Sequence, residues 1–289
     1  MTQAAGKTGA GPMVSVAIEQ YFPAPQRILD DDLAYSILPF GMRAFVCVMR
    51  LAHLRNWMVQ GLEKPAPGIW GGMMCRKRYI DEKLAESVGQ IDAVVNLGAG
   101  FDTRVYRIPG LSNVAVWEVD LPANIEAKRT RLAKLFRGVP ENVRLVPSDF
   151  DHDDLSTSLA AHGYSPDKRT FFIWEAVTQY LNQFGIEETL NFLARAKSGS
   201  RLAFTYIRKD FIEGLEMYGQ AELYKKYVIK QKIWLYGFAP ASVPEIIGSY
   251  GWHVIEHPSY ENLAKRYVKP TGRNLAATLI EQMIFAEKG

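Results

Sequence analysis

The sequence is poor in cysteine and has no long apolar run. Two cysteines, Cys47 and Cys75, in 289 residues are too few for a disulfide-built scaffold. The longest unbroken apolar run covers only residues 44–49, whereas a membrane-spanning helix needs about 20 apolar residues. We therefore expect a reduced cytoplasmic setting and no membrane span.

A strong charge of one sign is also lacking. The 34 Lys and Arg residues against 31 Asp and Glu give a net charge of +3, which leaves no electrostatic footprint for nucleic acid. A hydrophobic share of 48% excludes bulk disorder. Residues 1–12 lack the apolar segment of a signal peptide and are predicted to be a disordered tail.

Residues 13–90 are predicted to form an N-terminal helical cap. Apolar residues recur there at steps of three or four, as on one helix face: Leu33, Ile37, Phe40, Ala44, Cys47, Leu51, Leu54 and Met58. A Gly- and Pro-rich break at 65–72 precedes a second helical stretch near 73–88.

From residue 91 to 289 the sequence predicts a core of the α/β class. Short apolar runs alternate with amphipathic helices, which is typical of βαβ units and a parallel sheet. We predict strands near 92–97, 114–119, 143–147, 170–174, 201–207, 252–257 and 275–286, with helices near 122–136, 153–161, 185–197 and 243–249. The last strand is expected to run antiparallel at the end of the sheet. Residues 208–250 are expected to form an insertion that begins with a long, aromatic-rich helix. The predicted fold is a doubly wound, Rossmann-like, mostly parallel sheet.

The clearest local motif lies at the end of the first predicted strand. Gly98 and Gly100 follow that strand, and two glycines allow a tight turn and a close approach of the backbone to a ligand. Thr103 stands where a dinucleotide-binding fingerprint requires its third glycine. A plain turn between strand and helix remains an alternative.

Two acidic residues, Glu118 and Asp120, end the second predicted strand. An acid about 20 residues past a glycine loop is placed to bind the hydroxyls of an adenosyl ribose. The two alternate with Val119 and so are predicted to point to the same side of the strand. The alternative is an acid that stabilises a helix N-terminus.

Acids also follow the third predicted strand. Asp149 could accept a hydrogen bond from an adenine amino group, with Phe150 packed on the ring. Carboxylates and His152 cluster at 149–154, which raises the alternative of a metal site. We expect no metal, because a loop acid run before a helix is usually capping and solvated charge.

Two further charged residues are candidates. Glu175 ends an apolar run at the carboxyl end of a central strand, where doubly wound folds place ligand contacts. Arg76 could bind a carboxylate through its planar guanidinium. The alternatives are a Glu at the rim that pairs with an arginine, and a solvated helix face.

Together these motifs resemble the leucine carboxyl methyltransferase family of class I S-adenosylmethionine-dependent methyltransferases, and most of all its bacterial branch, which includes polyketide O-methyltransferases. The matching segments are RKRYID (76–81), NLGAGFDTR (96–104), EVDLP (118–122), SDF (148–150), EAVTQYL (175–181) and YVKPTGRNLA (267–276).

The resemblance implies a role for each candidate residue. Arg76 would bind the methionine carboxylate of S-adenosyl-L-methionine, Glu175 its amino group, and Gly98 would lie against the methionine portion. Asp120 would hold the ribose with Glu118 beside it. Asp149 and Phe150 would bracket the adenine, and Tyr180 would face the substrate as the catalytic-site residue.

The resemblance implies an O-methyltransferase that acts on a carboxylate or hydroxyl of a small molecule. Asp151 stands where the branch that methylates a protein C-terminus is expected to carry an arginine, so such a substrate is not expected. Aromatic residues in 208–240 suggest a largely apolar substrate. The absence of a histidine in a recognisable base position favours a carboxyl acceptor. The alternatives are an NAD(P)-dependent oxidoreductase and a non-catalytic binding protein, and the oligomeric state is not predicted.

Overall fold

A computed structural model describes residues 10–276 and 278–289, and its centre is a seven-stranded sheet. The strands are β1 (Ala93–Leu97), β2 (Ala115–Asp120), β3 (Val143–Pro147), β4 (Thr170–Trp174), β5 (Arg201–Ile207), β6 (Trp252–Glu256) and β7 (Glu281–Lys288). Their spatial order is β3-β2-β1-β4-β5-β7-β6. Strands β1 to β5 pair in parallel, and β7 pairs antiparallel with both neighbours. The predicted fold class is confirmed.

The register of the parallel strands brings their carboxyl ends to one edge. Leu97 at the end of β1 lies opposite Val119, and Asp120 at the end of β2 lies opposite Pro147. Every residue of β1 and β4 is buried, as expected of central strands covered on both faces. The loops after β1, β2 and β4 therefore meet above the same edge of the sheet.

Strand β6 lies where it was predicted, but β7 differs from the prediction in its place in the sheet and in its start. Strand β7 is antiparallel as expected, but it lies between β5 and β6 and not at the end of the sheet. It begins at Glu281, whereas the apolar pattern placed its start near residue 275. Residues before Glu281 form a loop that crosses towards helix 69–87: the carbonyl of Ala276 lies next to Gly71, so that a Cβ there would be 2.9 Å from it.

Helices on the N-terminal side cover one face of the sheet. They are α1 (Ala10–Glu19), α2 (Ala34–Ile37), α3 (Phe40–Val48), α4 (Ala52–Glu63) and α5 (Ile69–Ser87). Helix α1 begins inside the predicted tail of residues 1–12, and residues 1–9 lie outside the described part. Buried Glu19 accepts hydrogen bonds from Trp70 Nε1 at 2.8 Å and from Arg273 at 2.6 Å, which joins α1 to α5 and to the C-terminal segment.

The helices after the strands largely match the prediction. They are α6 (Arg104–Arg107), α7 (Pro122–Phe136), α8 (Leu155–Ala161) and α9 (Gln183–Ala194). Pro122 opens α7, where its missing N–H costs no hydrogen bond. Asp154 and Asn182 cap α8 and α9 by accepting from backbone N–H groups.

The prediction of one long helix after residue 208 is wrong. This segment forms α10 (Lys209–Ile212), α11 (Ala221–Tyr224), a π-helical turn (Lys225–Lys230) and α12 (Val243–Ser249), and a further short helix, α13 (Tyr260–Leu263), follows β6. Gly214, Tyr218 and Gly219 have φ values of 75°, 49° and 72°. A right-handed helix requires negative φ, so these three residues prevent one continuous helix although the apolar residues recur at helical spacing.

The outer surface of α3 and α4 is apolar. Seven large side chains are exposed in and beside these two helices: Phe40, Phe45, Val48, Leu51, Leu54, Trp57 and Leu62. None of the helices in the described part of the chain is long and apolar enough to cross a membrane.

Candidate functional site

A cleft of about 740 Å³ lies at the carboxyl ends of β1, β2 and β4, where the topology brings the predicted motifs together. Helices α1 and α5 close its other side. Its lining comprises Pro12, Met13, Arg76, Lys77, Asn96, Gly98, Ala99, Gly100, Phe101, Asp102, Asp120, Asn124, Glu175, Ala176, Val177 and Tyr180. Six of the nine predicted site residues are in this lining.

The glycine loop forms the floor of the cleft. Gly98 has a φ of 75°, and a Cβ at this position would overlap Cγ2 of Val177 from the loop after β4. The backbone N–H groups of Gly98 and Ala99 donate to the carbonyl of Val119 at 2.8 and 3.0 Å. The loop after β1 is therefore fixed between β2 and β4, and only glycine fits at its first position.

Asp120 connects this loop to the helix that follows β2. Its Oδ2 accepts from the backbone N–H of Gly100 at 2.6 Å, and its Oδ1 accepts from Leu121 N and from Asn124 Nδ2, both at 2.7 Å. Burial raises the pKa of Asp120, and the hydrogen bonds from Asn124 and Gly100 act against that rise. The carboxylate is thus held rigidly at the edge of the cleft.

Glu175 is the acceptor at the centre of a buried ion cluster. Arg76 Nε donates to its Oε1 at 2.8 Å and Arg104 Nη2 to its Oε2 at 2.7 Å, while Lys77 Nζ lies 3.2 Å from Oε1. Burial alone would raise the pKa of Glu175, but these three cations outweigh it and hold the pKa well below its usual range. Glu175 is therefore ionised at neutral pH.

The ion cluster extends beyond the cleft. Arg104 also contacts Asp81 at 3.0 Å and Asp102 at 3.1 Å. Arg107 pairs with Asp81 and lies 3.4 Å from Asp31. Because Asp81 lies on α5 and Arg104 on α6, the cluster connects the N-terminal helices to the loops of the sheet.

Three predicted site residues lie outside the lining of the cleft. Glu118 is fully buried, and its oxygens accept from Lys128 Nζ at 2.6 Å and from the hydroxyl of Tyr106. Phe150 is 3% exposed and packs in the apolar core. Asp149 lies in the loop after β3, where its Oδ1 accepts from the backbone N–H of Asp151 at 3.2 Å.

A second cavity of about 610 Å³ adjoins the cleft. It shares four lining residues with the cleft: Pro12, Arg76, Ala176 and Tyr180. The remainder of its lining is largely apolar: Ile69, Met73, Gln179, Ile207, Gln220, Leu223, Trp234, Thr278, Ile280 and Glu281. Segment 208–240 supplies three of these residues, Gln220, Leu223 and Trp234.

The structure adds residues that sequence reasoning did not single out. Lys77, Asp102 and Arg104 lie inside the quoted motifs, so their position next to Arg76 or the glycines was the available signal. Glu281 has no such signal, since only the antiparallel insertion of β7 brings it to Arg76. In the described residues, no three His, Cys, Asp or Glu side chains are arranged to hold a metal ion.

A known protein family matches most of the N-terminal two thirds of the chain. Residues 10–194 match the model of the leucine carboxyl methyltransferase family. The chain belongs to this family. Methyltransferases of this class take their methyl group from S-adenosyl-L-methionine, so the cofactor of this leucine carboxyl methyltransferase family member is S-adenosyl-L-methionine. The oxidoreductase alternative is thereby set aside.

Individual relatives are named after the same cofactor. A protein of Mycolicibacterium smegmatis named as an S-adenosyl-L-methionine-dependent methyltransferase is 28% identical over 261 residues, or 87% of this chain and 84% of that protein. Another, from Mycolicibacterium paratuberculosis, is 38% identical over 131 residues. That second match spans 44% of this chain and 41% of the relative, less than half of its length.

Solved structures share the fold of this family member. A DUF574 family protein from Streptomyces avermitilis has a TM-score of 0.56 at 13% identity, over 80% of this chain and 88% of that one. A protein of Thermobifida fusca named as a methyltransferase has a TM-score of 0.53 at 13% identity, over 81% and 87%. At this identity the likeness concerns the fold alone.

Proposed function

We propose that the protein transfers the methyl group of S-adenosyl-L-methionine to an oxygen atom of a small, largely apolar molecule. The observation that carries this proposal is the pair of adjoining cavities. The cleft at the strand ends is lined by five charged side chains, including Asp120 and Glu175. In the described part of the chain, Arg76 and Glu281 are the two charged side chains that line its neighbour. Arg76, Ala176 and Tyr180 line both, so that a cofactor in one cavity would meet an acceptor in the other.

The cleft suits the two ends of the cofactor. Asp120 would accept hydrogen bonds from the ribose hydroxyls, as an acid at the end of the second strand does in nucleotide-binding sheets. The zwitterionic methionine end needs a cation for its carboxylate and an anion for its amino group. Arg76 and Glu175 offer both within one hydrogen-bonded pair. The part of the cleft that Gly98 lines would accept the methionine chain.

The remaining predicted contacts act at the adenine end or indirectly. Asp149 and Phe150 follow β3 and would contact the adenine, Phe150 through its backbone because its side chain is buried. Glu118 supports the site by positioning, since its buried contacts with Lys128 and Tyr106 fix the end of β2 against α7.

Methyl transfer mainly requires the protein to hold the acceptor oxygen in line with the methyl group and the sulfur. The bound cofactor supplies a sulfonium methyl group, and an oxygen atom of the acceptor displaces the sulfur in line. Holding the acceptor close and aligned supplies much of the acceleration. Tyr180 lines both cavities and would contact the acceptor beside the transferred methyl. The apolar lining would exclude water from that contact.

A methyl-transfer assay tests the proposal. The purified protein is incubated with S-adenosyl-L-methionine carrying a tritiated methyl group and a panel of aromatic phenols and carboxylic acids. We expect tritium in an organic-extractable product with the wild type and, at the same cofactor concentration, much less with the Asp120→Asn variant. The non-catalytic binding protein would instead bind S-adenosylhomocysteine and transfer no label to any compound of the panel.

A further inference from the structure

We propose that the methyl acceptor is a neutral hydroxyl compound, such as a phenol, and that Glu281 receives its proton. This inference rests on the proposed function, because it concerns the acceptor cavity of the same site. It departs from the prediction of a carboxyl acceptor, which relied on the lack of a suitable histidine and could not include Glu281.

The charge of the ion cluster is the first argument. Through contacts of 4 Å or less it joins four cations to five carboxylates: Arg76, Lys77, Arg104 and Arg107 with Asp31, Asp81, Asp102, Glu175 and Glu281. Its formal charge is therefore one negative unit, which matches the single net positive charge of S-adenosyl-L-methionine. A carboxylate acceptor would add an unbalanced buried anion, whereas a hydroxyl acceptor would not.

The position of Glu281 is the second argument. This residue on β7 is 8% exposed, and both oxygens of its carboxylate accept from Arg76 Nη1 at 2.8 Å. In the described part of the chain it is the one acidic side chain that lines the second cavity. The bond to Arg76 leaves further lone pairs on both oxygens, since a carboxylate accepts about four hydrogen bonds. An acceptor carboxylate beside it would be repelled, and a hydroxyl would donate to it.

Two residues that line the same cavity, Gln220 and Trp234, carry buried polar atoms without a partner, and these atoms are the third argument. The side-chain nitrogen of Gln220 donates to the carbonyl of Pro67 at 3.1 Å, which fixes the amide orientation. Its Oε1 is buried without a partner, and Gln220 is only 1% exposed. The indole N–H of Trp234 is also buried without a partner. A hydroxyl both donates and accepts and would satisfy such atoms, whereas a carboxylate only accepts.

The proposed step balances without a further reactant. The hydroxyl oxygen of the acceptor forms a bond to the methyl carbon as the bond from that carbon to sulfur breaks. The hydroxyl proton passes to the carboxylate of Glu281. The products are a methyl ether, S-adenosylhomocysteine and a protonated Glu281, which then loses its proton to solvent.

A binding measurement separates the two acceptor classes. The protein is saturated with S-adenosylhomocysteine at pH 7.5 and titrated calorimetrically with 1-naphthol and with 1-naphthoate, which share an apolar body and differ in charge. We expect 1-naphthol to bind at least tenfold more tightly. In Glu281→Gln this preference should fall by about tenfold or more, since the repelling charge is gone. Glu287→Gln, an exposed acid on the same strand, should keep the wild-type ratio.

Each other outcome contradicts the inference in a distinct way. Tighter binding of 1-naphthoate, or no binding of either probe to the saturated protein, overturns the neutral-hydroxyl acceptor while the cofactor site stands. Failure of S-adenosylhomocysteine to bind overturns the proposed function itself. If Glu281→Gln does not fold, the ratio of the two affinities in the wild type tests the inference together with the Gln220→Leu variant. This variant should lower the affinity for 1-naphthol more than the affinity for 1-naphthoate.

Discussion

At Asp120, hydrogen bonds from Gly100, Leu121 and Asn124 occupy one side of the carboxylate and hold it in a single orientation. A preorganised acceptor loses little entropy when it binds a ligand. Its proposed hydrogen bonds to the ribose would depend on the negative charge, because hydrogen bonds to charged groups are the stronger ones.

Asp120→Asn should therefore weaken binding of S-adenosylhomocysteine by about tenfold to a hundredfold, which corresponds to about 1.5–3 kcal/mol. Isothermal titration of the folded variant measures this. Glu126→Gln, an exposed carboxylate on the neighbouring helix α7, serves as the control and should bind like the wild type. Equal affinity of Asp120→Asn and the wild type would remove Asp120 from the site.

Alanine variants of Gly98 and Gly89 distinguish the cost of backbone strain from the cost of side-chain overlap. Both have positive φ, 75° and 86°, but a Cβ on Gly98 overlaps Val177 while a Cβ on Gly89 meets nothing within 4 Å. Gly89→Ala should cost about 1–2 kcal/mol through strain alone, and Gly98→Ala about 2–5 kcal/mol because overpacking adds to it. Urea unfolding of both variants measures the difference, and equal costs would contradict the close approach of the loop after β4.

The sequence predicted those site residues that lie in local motifs at the ends of strands. Arg76, Gly98, Gly100, Asp120, Glu175 and Tyr180 line the cleft because local motifs at strand ends mark one edge of a parallel sheet. Strand alternation placed Glu118 with Asp120, but Asp120 is the last residue of β2 and reaches the edge, whereas Glu118 is covered by α7. Lys77 lies next to Arg76 in a quoted motif, whereas Glu281 reaches Arg76 through a tertiary contact that no local pattern encodes. The adenine-side roles of Asp149 and Phe150 stay predictions.

Among the elements, α5 connects the two halves of the site. Its residues Arg76 and Lys77 pair with Glu175 after β4, and Arg76 also pairs with Glu281 on β7. Removing the shared acceptor would leave buried cations without their counter-charge, which is costly in a buried ion network.

Glu175→Gln should lower the free energy of unfolding by about 3–5 kcal/mol at pH 7. The folded pKa of Glu175 lies well below its ordinary value of 4.5. The ionised carboxylate therefore stabilises the protein fully above about pH 4.5, and this contribution is lost as the pH falls through the lower folded pKa. Urea unfolding across this range should show the variant and the wild type converging in acid. A pH-independent difference, or none at pH 7, would contradict the account; exposed Glu126→Gln is the control.

The two tryptophans of the N-terminal helices give a matched pair at the element scale. Trp70 is 1% exposed and donates from Nε1 to buried Glu19, while Trp57 is 72% exposed. Trp70→Phe removes that donor and should cost about 1–3 kcal/mol, since Glu19 loses a hydrogen bond in the interior. Trp57→Phe should stay within about 0.5 kcal/mol of the wild type. Thermal unfolding compares them, and similar losses would mean that α4 is covered in solution.

The elements themselves were predicted unevenly for a physical reason. Helix α7 and strands β1 to β5 have strong local signals: a proline at the first helical position and short, largely apolar runs bounded by polar loops. The segment after residue 208 carries apolar residues at helical spacing, but they line a cavity and pack on the sheet edge. Periodicity alone does not distinguish such a segment from a helix, and the positive φ of Tyr218 is not visible in the sequence.

At the scale of the whole molecule, function depends on two cavities that no single element builds. The sheet supplies the cleft proposed for the cofactor and the N-terminal helices close it, while the segment after β5 and helix α5 line the neighbouring cavity. The domain boundaries at residues 12, 90 and 208–250 stay predictions. The central claim is that the cleft at the strand ends is built for S-adenosyl-L-methionine.

The most direct measurement is calorimetric titration of the purified wild-type protein with S-adenosylhomocysteine, with NADH as the comparison ligand. The account predicts one site per chain with micromolar or tighter affinity for S-adenosylhomocysteine and no binding of NADH. Binding of NADH alone, or of neither ligand, would contradict it.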